Sequence, residues 1–137
     1  MRKYKLTDET ITVERNGKEV TLHRIEALRD FADVKAGERG GYVESEANLS
    51  HEGDCWIYDD AEVYGNAEIY DNAKVSGYAE VYGHAEVFGY AKVFGYATVF
   101  GYATVGENAR VYGNAEIYGN AEVSGSSKVC GDTELST

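Results

Sequence analysis

Residues 79–102 read AEVYGH-AEVFGY-AKVFGY-ATVFGY, four consecutive six-residue units of one pattern. Extending this register in both directions gives hexads from residue 55 to the end of the chain without an insertion. The first position is Ala, Cys, Ser or Thr, and the third is aliphatic in every unit. Two residues apart on a strand, these side chains point the same way. The pattern predicts a narrow interior with one small and one branched side chain per unit.

The fifth and sixth positions of each hexad have turn chemistry. The fifth is Gly in most units and is acidic in three others, at Asp59, Asp71 and Glu107, while the sixth is often Asn. Gly accepts positive φ, and Asn and Asp tolerate it better than bulky residues do. Each hexad is therefore interpreted as a short strand followed by a corner.

The second position shows how many corners complete one coil. From residue 55 onward every basic residue lies in this position, at steps of 18: Lys74, Lys92, Arg110 and Lys128. Residues 18 apart are thus predicted to stack on one face, which we call face one and which begins with Trp56. The fold class predicted is all-β, a single-stranded β-helix (solenoid) with three hexads per 18-residue coil.

The other two faces are acidic in the second position. Face two carries Glu62, Glu80, Thr98, Glu116 and Glu134, and face three carries Glu68, Glu86, Thr104 and Glu122. Like charges one rung apart repel, so solvent or a partner is expected to relieve them. A charged surface of this kind also serves simply to keep a rod soluble.

Aromatic residues form further columns in the fourth position and at the corners. They are explained either by stacking between coils or by an interface with a partner. The candidate partner-binding or oligomer surface consists of Tyr64, Tyr82, Phe100, Tyr118, Glu62, Glu80, Glu116, Tyr96 and Tyr102.

The N-terminal segment departs from the repeat. Asn16-Gly17 lies between two alternating segments within residues 10–25, which predicts a β-hairpin. We expect residues 1–40 to form a hairpin cap and residues 41–137 the hexapeptide-repeat β-solenoid. Two loosely fitting units, 41–46 and 47–52, precede the regular run, with Gly53-Asp54 inserted after them. A cap is needed because the end of a solenoid exposes core and unpaired strand edges.

The same segment resembles a known family, the YdcK-like hexapeptide-repeat proteins of bacteria, which have short versions in phages and prophages. The residues that carry the resemblance are Tyr4, Leu6, Arg24, Ala27, Asp30-Phe31, Asp33 to Gly37, Gly40-Gly41, Val43, Leu49-Ser50 and Gly53 to Tyr58. The resemblance implies a left-handed β-helix of the kind found in hexapeptide acyltransferases. It implies no specific biochemical role.

Composition limits the compartment and the partners. The net charge of −11 disfavours direct binding to nucleic acid and to anionic membranes. The N-terminus has no apolar core of a signal peptide, and no apolar run approaches the ~20 residues of a membrane span. The predicted register puts Cys55 and Cys130 about four coils apart, beyond disulfide reach. We expect a soluble protein of the bacterial cytoplasm with reduced thiols.

Catalysis is the alternative hypothesis. An acyltransferase-like enzyme acting as a trimer would need a general base, normally His, and the chain offers His23, His51 and His84. His84 falls in a corner column between Asn66 and Tyr102, which favours a surface turn residue. Three histidines converging on a metal are not expected, and we predict neither a metal nor a cofactor. Transferase hexads usually carry Gly after the aliphatic residue, as only Val105-Gly106 does here.

The favoured hypothesis is a non-catalytic scaffold that binds a protein partner. We predict a phage-encoded protein that inhibits a host defence protein, and a target that binds nucleic acid would suit the acidic charge. We also predict a closed homo-oligomer. It would be a dimer through the C-terminal coils, because the hexads reach Leu135 with nothing after them to cover the last coil, or a trimer through the aromatic faces.

Overall fold

A computed structural model describes residues 2–136. The chain is nearly all β and winds into a solenoid of 18-residue coils, as predicted. Strands of successive coils pair parallel and in register, so that Lys92 lies between Lys74 and Arg110 on face one. Thr98 pairs in the same way on face two, as does Thr104 on face three. The three faces and their members are therefore confirmed.

The structure contains seventeen strands and one short 3-10 helix, Glu46–Asn48, within the described residues. The first three strands are β1 (Tyr4–Arg15), β2 (Lys18–Ala27) and β3 (Arg39–Val43). The solenoid strands are β4 (Trp56–Ile57), β5 (Glu62–Val63), β6 (Glu68–Ile69), β7 (Lys74–Val75), β8 (Glu80–Val81), β9 (Glu86–Val87), β10 (Lys92–Val93), β11 (Thr98–Val99), β12 (Thr104–Val105), β13 (Arg110–Val111), β14 (Glu116–Tyr118), β15 (Glu122–Val123), β16 (Lys128–Val129) and β17 (Glu134–Ser136). No helix among residues 2–136 is long and apolar enough to cross a membrane.

The core of the solenoid consists of the first and third hexad positions, as predicted. Ala85 and Val87 are fully buried, and the same holds for their equivalents from Ala61 to Ile117. Burial of the branched side chain contributes about 1.5–3 kcal/mol per strand. Cys55 takes the small inward position and is buried, whereas Cys130 points outward and is exposed. The burial of the two cysteines thus follows the inward first position and the outward fourth position of the hexad.

The corners show why a few acidic residues replace Gly. Asp59, Asp71 and Glu107 have φ of 58°, 58° and 56°, the left-handed region that Gly occupies in other coils. Each carboxylate accepts a hydrogen bond from the backbone N–H of the Gly one coil further along, with O···N distances of 3.0, 3.1 and 2.6 Å. This bond to the next coil offsets part of the strain of about 1–2 kcal/mol.

The first coil contains the predicted two-residue insertion. Val43 pairs with Val63 and Leu49 with Ile69, offsets of 20 residues, whereas Ile57 pairs with Val75 at the regular 18. The two extra residues lie between Leu49 and Ile57, where Gly53 has a φ of 74°.

The N-terminal hairpin is confirmed, with Arg15 opposite Lys18 across the Asn16-Gly17 turn. Strand β2 also pairs antiparallel with β3, and β3 pairs parallel with β5. The hairpin therefore extends the sheet of face two, in the order β1-β2-β3-β5-β8-β11-β14-β17. The predicted division of the chain after residue 40 falls inside β3.

The segment around the hairpin also closes the first coil. Tyr4 and Phe31 pack edge-on against Trp56, with ring centroids 6.2 and 5.2 Å apart. Trp56 heads the outward column of face one, but this cover leaves it only 1% exposed. Trp56 keeps the outward direction of its hexad position and is buried because the cap wraps over the side of the first coil.

A lysine completes the closure. The Lys3 side chain is fully buried, and its ammonium donates to the carbonyl oxygens of Cys55 and Gly53 at 2.7 and 3.3 Å. It lies 3.4 Å from the Cys55 Sγ and 4.9 Å from the centre of the Phe31 ring. Burial lowers the pKa of Lys3. The Lys3 ammonium thus supplies the carbonyl oxygens of Gly53 and Cys55 with the hydrogen bonds that backbone N–H groups of a preceding coil supply elsewhere in the solenoid.

Candidate partner-binding surface

The aromatic column of face two is a continuous stack. Tyr64, Tyr82, Phe100 and Tyr118 follow one another with ring centroids 5.1, 5.1 and 5.2 Å apart and planes within 9° of parallel. The parallel register fixes these distances, because residues 18 apart are directly opposed. Stacking between coils is therefore established for this column.

The hairpin covers one end of that stack. Tyr64 is only 4% exposed and packs in a cluster with Leu22 and Tyr42. The Arg15 guanidinium carbon lies 4.0 Å from the centre of the Tyr82 ring. Tyr64, which the sequence placed on the candidate surface, is thus interior, and the accessible part of the column lies beyond Tyr82.

The corner tyrosines are the most exposed aromatic side chains of the described chain. Tyr96 and Tyr102 from the predicted surface are 63% and 64% exposed, and Tyr90 is 65% exposed. Tyr78, 58% exposed, is not among the residues of the predicted surface although it stacks on Tyr96 with ring centroids 5.2 Å apart. Tyr78 shares the hexad position of Tyr96 one coil away, and this is the sequence signal that places it on the same surface.

The acidic side chains of face two form the other half of the surface. Glu62 lies opposite Glu80 on the neighbouring strand, and Thr98 separates this pair from Glu116. Partial burial, then Glu80 and Asp60, raise the pKa of Glu62. No salt bridge among residues 2–136 involves Glu62, Glu80 or Glu116. Among the described residues, therefore, no ion pair neutralises these three carboxylates.

Face one carries the opposite charge. Lys74, Lys92, Arg110 and Lys128 lie one per coil in register. No carboxylate within 4.0 Å pairs with any of the four in the part of the chain that the structure describes. The solenoid therefore presents a basic and an acidic column on adjacent faces.

The three histidines have separate surroundings. His23 Nδ1 lies 3.2 Å from the Thr7 carbonyl oxygen, and His51 stacks on Tyr4 while its Nε2 lies 2.7 Å from a Glu46 carboxylate oxygen. His84 is exposed and stacks on Tyr102 with centroids 4.8 Å apart, in its predicted corner column. Residues 2–136 contain no cluster of three or more His, Cys, Asp or Glu able to hold a metal.

Comparison with known proteins supports the resemblance drawn from the sequence. No protein-family model matches the chain. A segment of 63 residues is 46% identical to a protein of Escherichia coli (strain K12) named "Uncharacterized acetyltransferase YdcK". The match covers 43% of this chain and only 19% of that protein. The chain thus spans a small part of its curated relative, which it resembles in sequence, and it folds as a β-solenoid of hexapeptide repeats.

Proposed function

We propose that this protein is a non-catalytic scaffold that binds a protein partner through the uncovered part of face two and its adjoining corners. The observation that carries the proposal is the combination of exposed tyrosines, Tyr96 and Tyr102 foremost, with aligned glutamates that have no ion-pair partner within residues 2–136. Tyrosine is enriched at protein interfaces because it buries a large area and loses little conformational entropy.

Rigidity favours the same function. Each outward side chain is fixed to a backbone that hydrogen-bonds to both neighbouring coils, as where Thr98 donates its N–H to the Ala115 oxygen at 2.9 Å. The stack of Phe100 on Tyr82 further restricts the rings. A surface ordered before binding loses less entropy when a partner docks.

The acidic surface suggests the class of partner. A chain with a net charge of −11 and glutamates in register presents carboxylates to a basic surface of the kind that binds nucleic acid. An inhibitor of a host defence protein, encoded by a phage, would use such a surface. This target would be displaced from the scaffold by added DNA and by salt.

The second candidate is acyl transfer, which the name of the Escherichia coli relative brings to this chain. His84 is the exposed histidine that could act as a base. Incubating the protein with acetyl-CoA and a panel of amines and alcohols tests this function. Turnover that His84→Ala abolishes would replace the scaffold proposal.

Affinity capture from a bacterial lysate tests the scaffold directly. The wild-type protein is compared with Tyr102→Ala and with Tyr90→Ala, a matched control of equal exposure on the corner between faces three and one. We expect one protein to be retained by the wild type and by Tyr90→Ala but lost with Tyr102→Ala. Identical captured sets from all three baits would contradict the proposal.

A further inference from the structure

The corner between faces one and two combines features of an interface core. We call it the first corner; it consists of Tyr78, Tyr96 and Asn114 in successive coils. Phe94 lies beside Tyr96 along the chain and stacks on Tyr112 with ring centroids 4.9 Å apart. The coil at this level carries Thr98 where neighbouring coils carry Glu. An uncharged aromatic patch therefore lies at the middle of the corner.

Two columns of opposite charge flank this patch. On one side are Lys74, Lys92, Arg110 and Lys128, and on the other Glu80, Glu116 and Glu134. Both columns repeat at about 4.8 Å, the distance between neighbouring strands. An apolar centre with a charged rim is the usual anatomy of a protein interface.

We propose that a second copy of this chain docks on the first corner, side by side and pointing in the same direction. A two-fold axis parallel to the solenoid axis places the basic column of each copy opposite the acidic column of the other, at the same level. Lys74 then faces Glu80, Arg110 faces Glu116, and Lys128 faces Glu134 of the other copy. The antiparallel arrangement opposes like charges instead.

The spacing of charges along the basic column favours the acidic column of a second copy over nucleic acid as its binding partner. Nucleic acid would be repelled by the remaining acidic surface, which gives the chain its net charge of −11. Another copy presents carboxylates with the repeat of the basic column. The inference rests on the proposed function, because it names a second copy as one occupant of part of the same surface.

Charge reversal tests the pairing. Sedimentation equilibrium should show a dimer of twice 15.0 kDa, and its dissociation constant should increase as the salt concentration rises. Arg110→Glu and Glu116→Arg should each weaken association about tenfold or more, and the double variant should restore it. Tyr96→Ala should also weaken it, while Tyr90→Ala should leave it unchanged. A mass of 15.0 kDa at every concentration, or a double variant no better than the singles, would overturn the proposal.

The exposed Cys130 reports the direction of the two copies. It lies in the column of Phe94 and Tyr112, next to the first corner, while Cys55 is buried. A short bis-maleimide should link two copies through Cys130 if they point the same way, and Cys130→Ser should abolish the link. An unlinked dimer would contradict the same-direction arrangement. If the wild type is monomeric yet still captures a partner that Tyr102→Ala loses, the proposed function stands and this inference fails.

Discussion

In the coils from residue 55 onward the strand residues pair in register with their equivalents one coil away, whereas the cap is held by contacts that occur once. Val87 has Ile69 and Val105 as its neighbours in the sheet, and the same arrangement recurs on every face. In the cap, Lys3 donates to the first coil in a geometry that is not repeated. The repeat thus derives stability from many similar small contacts, and the cap from a few individual ones.

The strongest way to break the repeat is a charge in its core. Val87→Asp should unfold several coils, because a buried unpaired carboxylate costs several kcal/mol and each coil supports its neighbours. Thr98→Asp places the same side chain on an outward position and should have little effect. Thermal unfolding followed by circular dichroism compares the two variants. A melting temperature equal to that of the wild type for Val87→Asp would contradict the inward register.

Removing one cap contact tests the other region. Trp56→Ala should cost about 3–5 kcal/mol, the usual effect of truncating a buried aromatic side chain. Because the contacts of Trp56 with Tyr4 and Phe31 occur only in the cap, hydrogen exchange should accelerate first in residues 2–57. Tyr90→Ala, an exposed aromatic of the repeat, is the control. Uniform acceleration along the chain would show that cap and coils unfold together.

The two regions also differ at their glycines. Gly17 of the hairpin has a φ of 77° with open space around its Cβ position, so Gly17→Ala should cost only the backbone strain of about 1–2 kcal/mol. Gly101 has a φ of 71°, and a Cβ there would lie 2.9 Å from the Gly119 nitrogen of the next coil. Gly101→Ala should therefore destabilise more in urea unfolding. Equal midpoints for the two variants would argue against tight stacking of the corners.

The smallest expected effect concerns the glutamates of face two. Since the pKa of Glu62 is raised in the folded protein, protonation stabilises the fold, and that contribution is lost as pH rises through the folded pKa. Glu62→Gln should raise the melting temperature at pH 7 and lose its advantage below roughly pH 4, where unfolded Glu is protonated. Glu122→Gln on face three serves as control. A gain that persists in acid would point to a cause other than charge.

The repeat could be predicted from sequence because the same residue types recur at the same positions of many hexads. The basic residues at steps of 18 fixed the coil, and Ala and Val columns fixed the core. The burial of Trp56 and Tyr64 could not be predicted, since both follow the outward pattern of their columns and are covered by residues far away in sequence. The hairpin turn was visible at Asn16-Gly17, but not the side of the solenoid on which it would lie.

The candidate surface, too, could be predicted where it repeats and could not be predicted where the hairpin covers it. The stacking of Phe100 on Tyr82 follows from the 18-residue period, whereas the cover over Tyr64 depends on Leu22 in the hairpin. Lys3 illustrates the limit: a charged residue near the N-terminus gives no sign that it will be fully buried. The left-handed sense of the helix stays a prediction from the resemblance.

The uniform spacing of the coils makes the molecule a ruler. Each additional coil of 18 residues would lengthen the rod by about 4.8 Å and leave its cross-section unchanged. Duplicating the coil of residues 91–108 would move a partner bound at the hairpin end about 4.8 Å further from a partner bound to the C-terminal coils. Distance between two bound partners could thus be adjusted in fixed increments by unequal recombination, without redesigning either end.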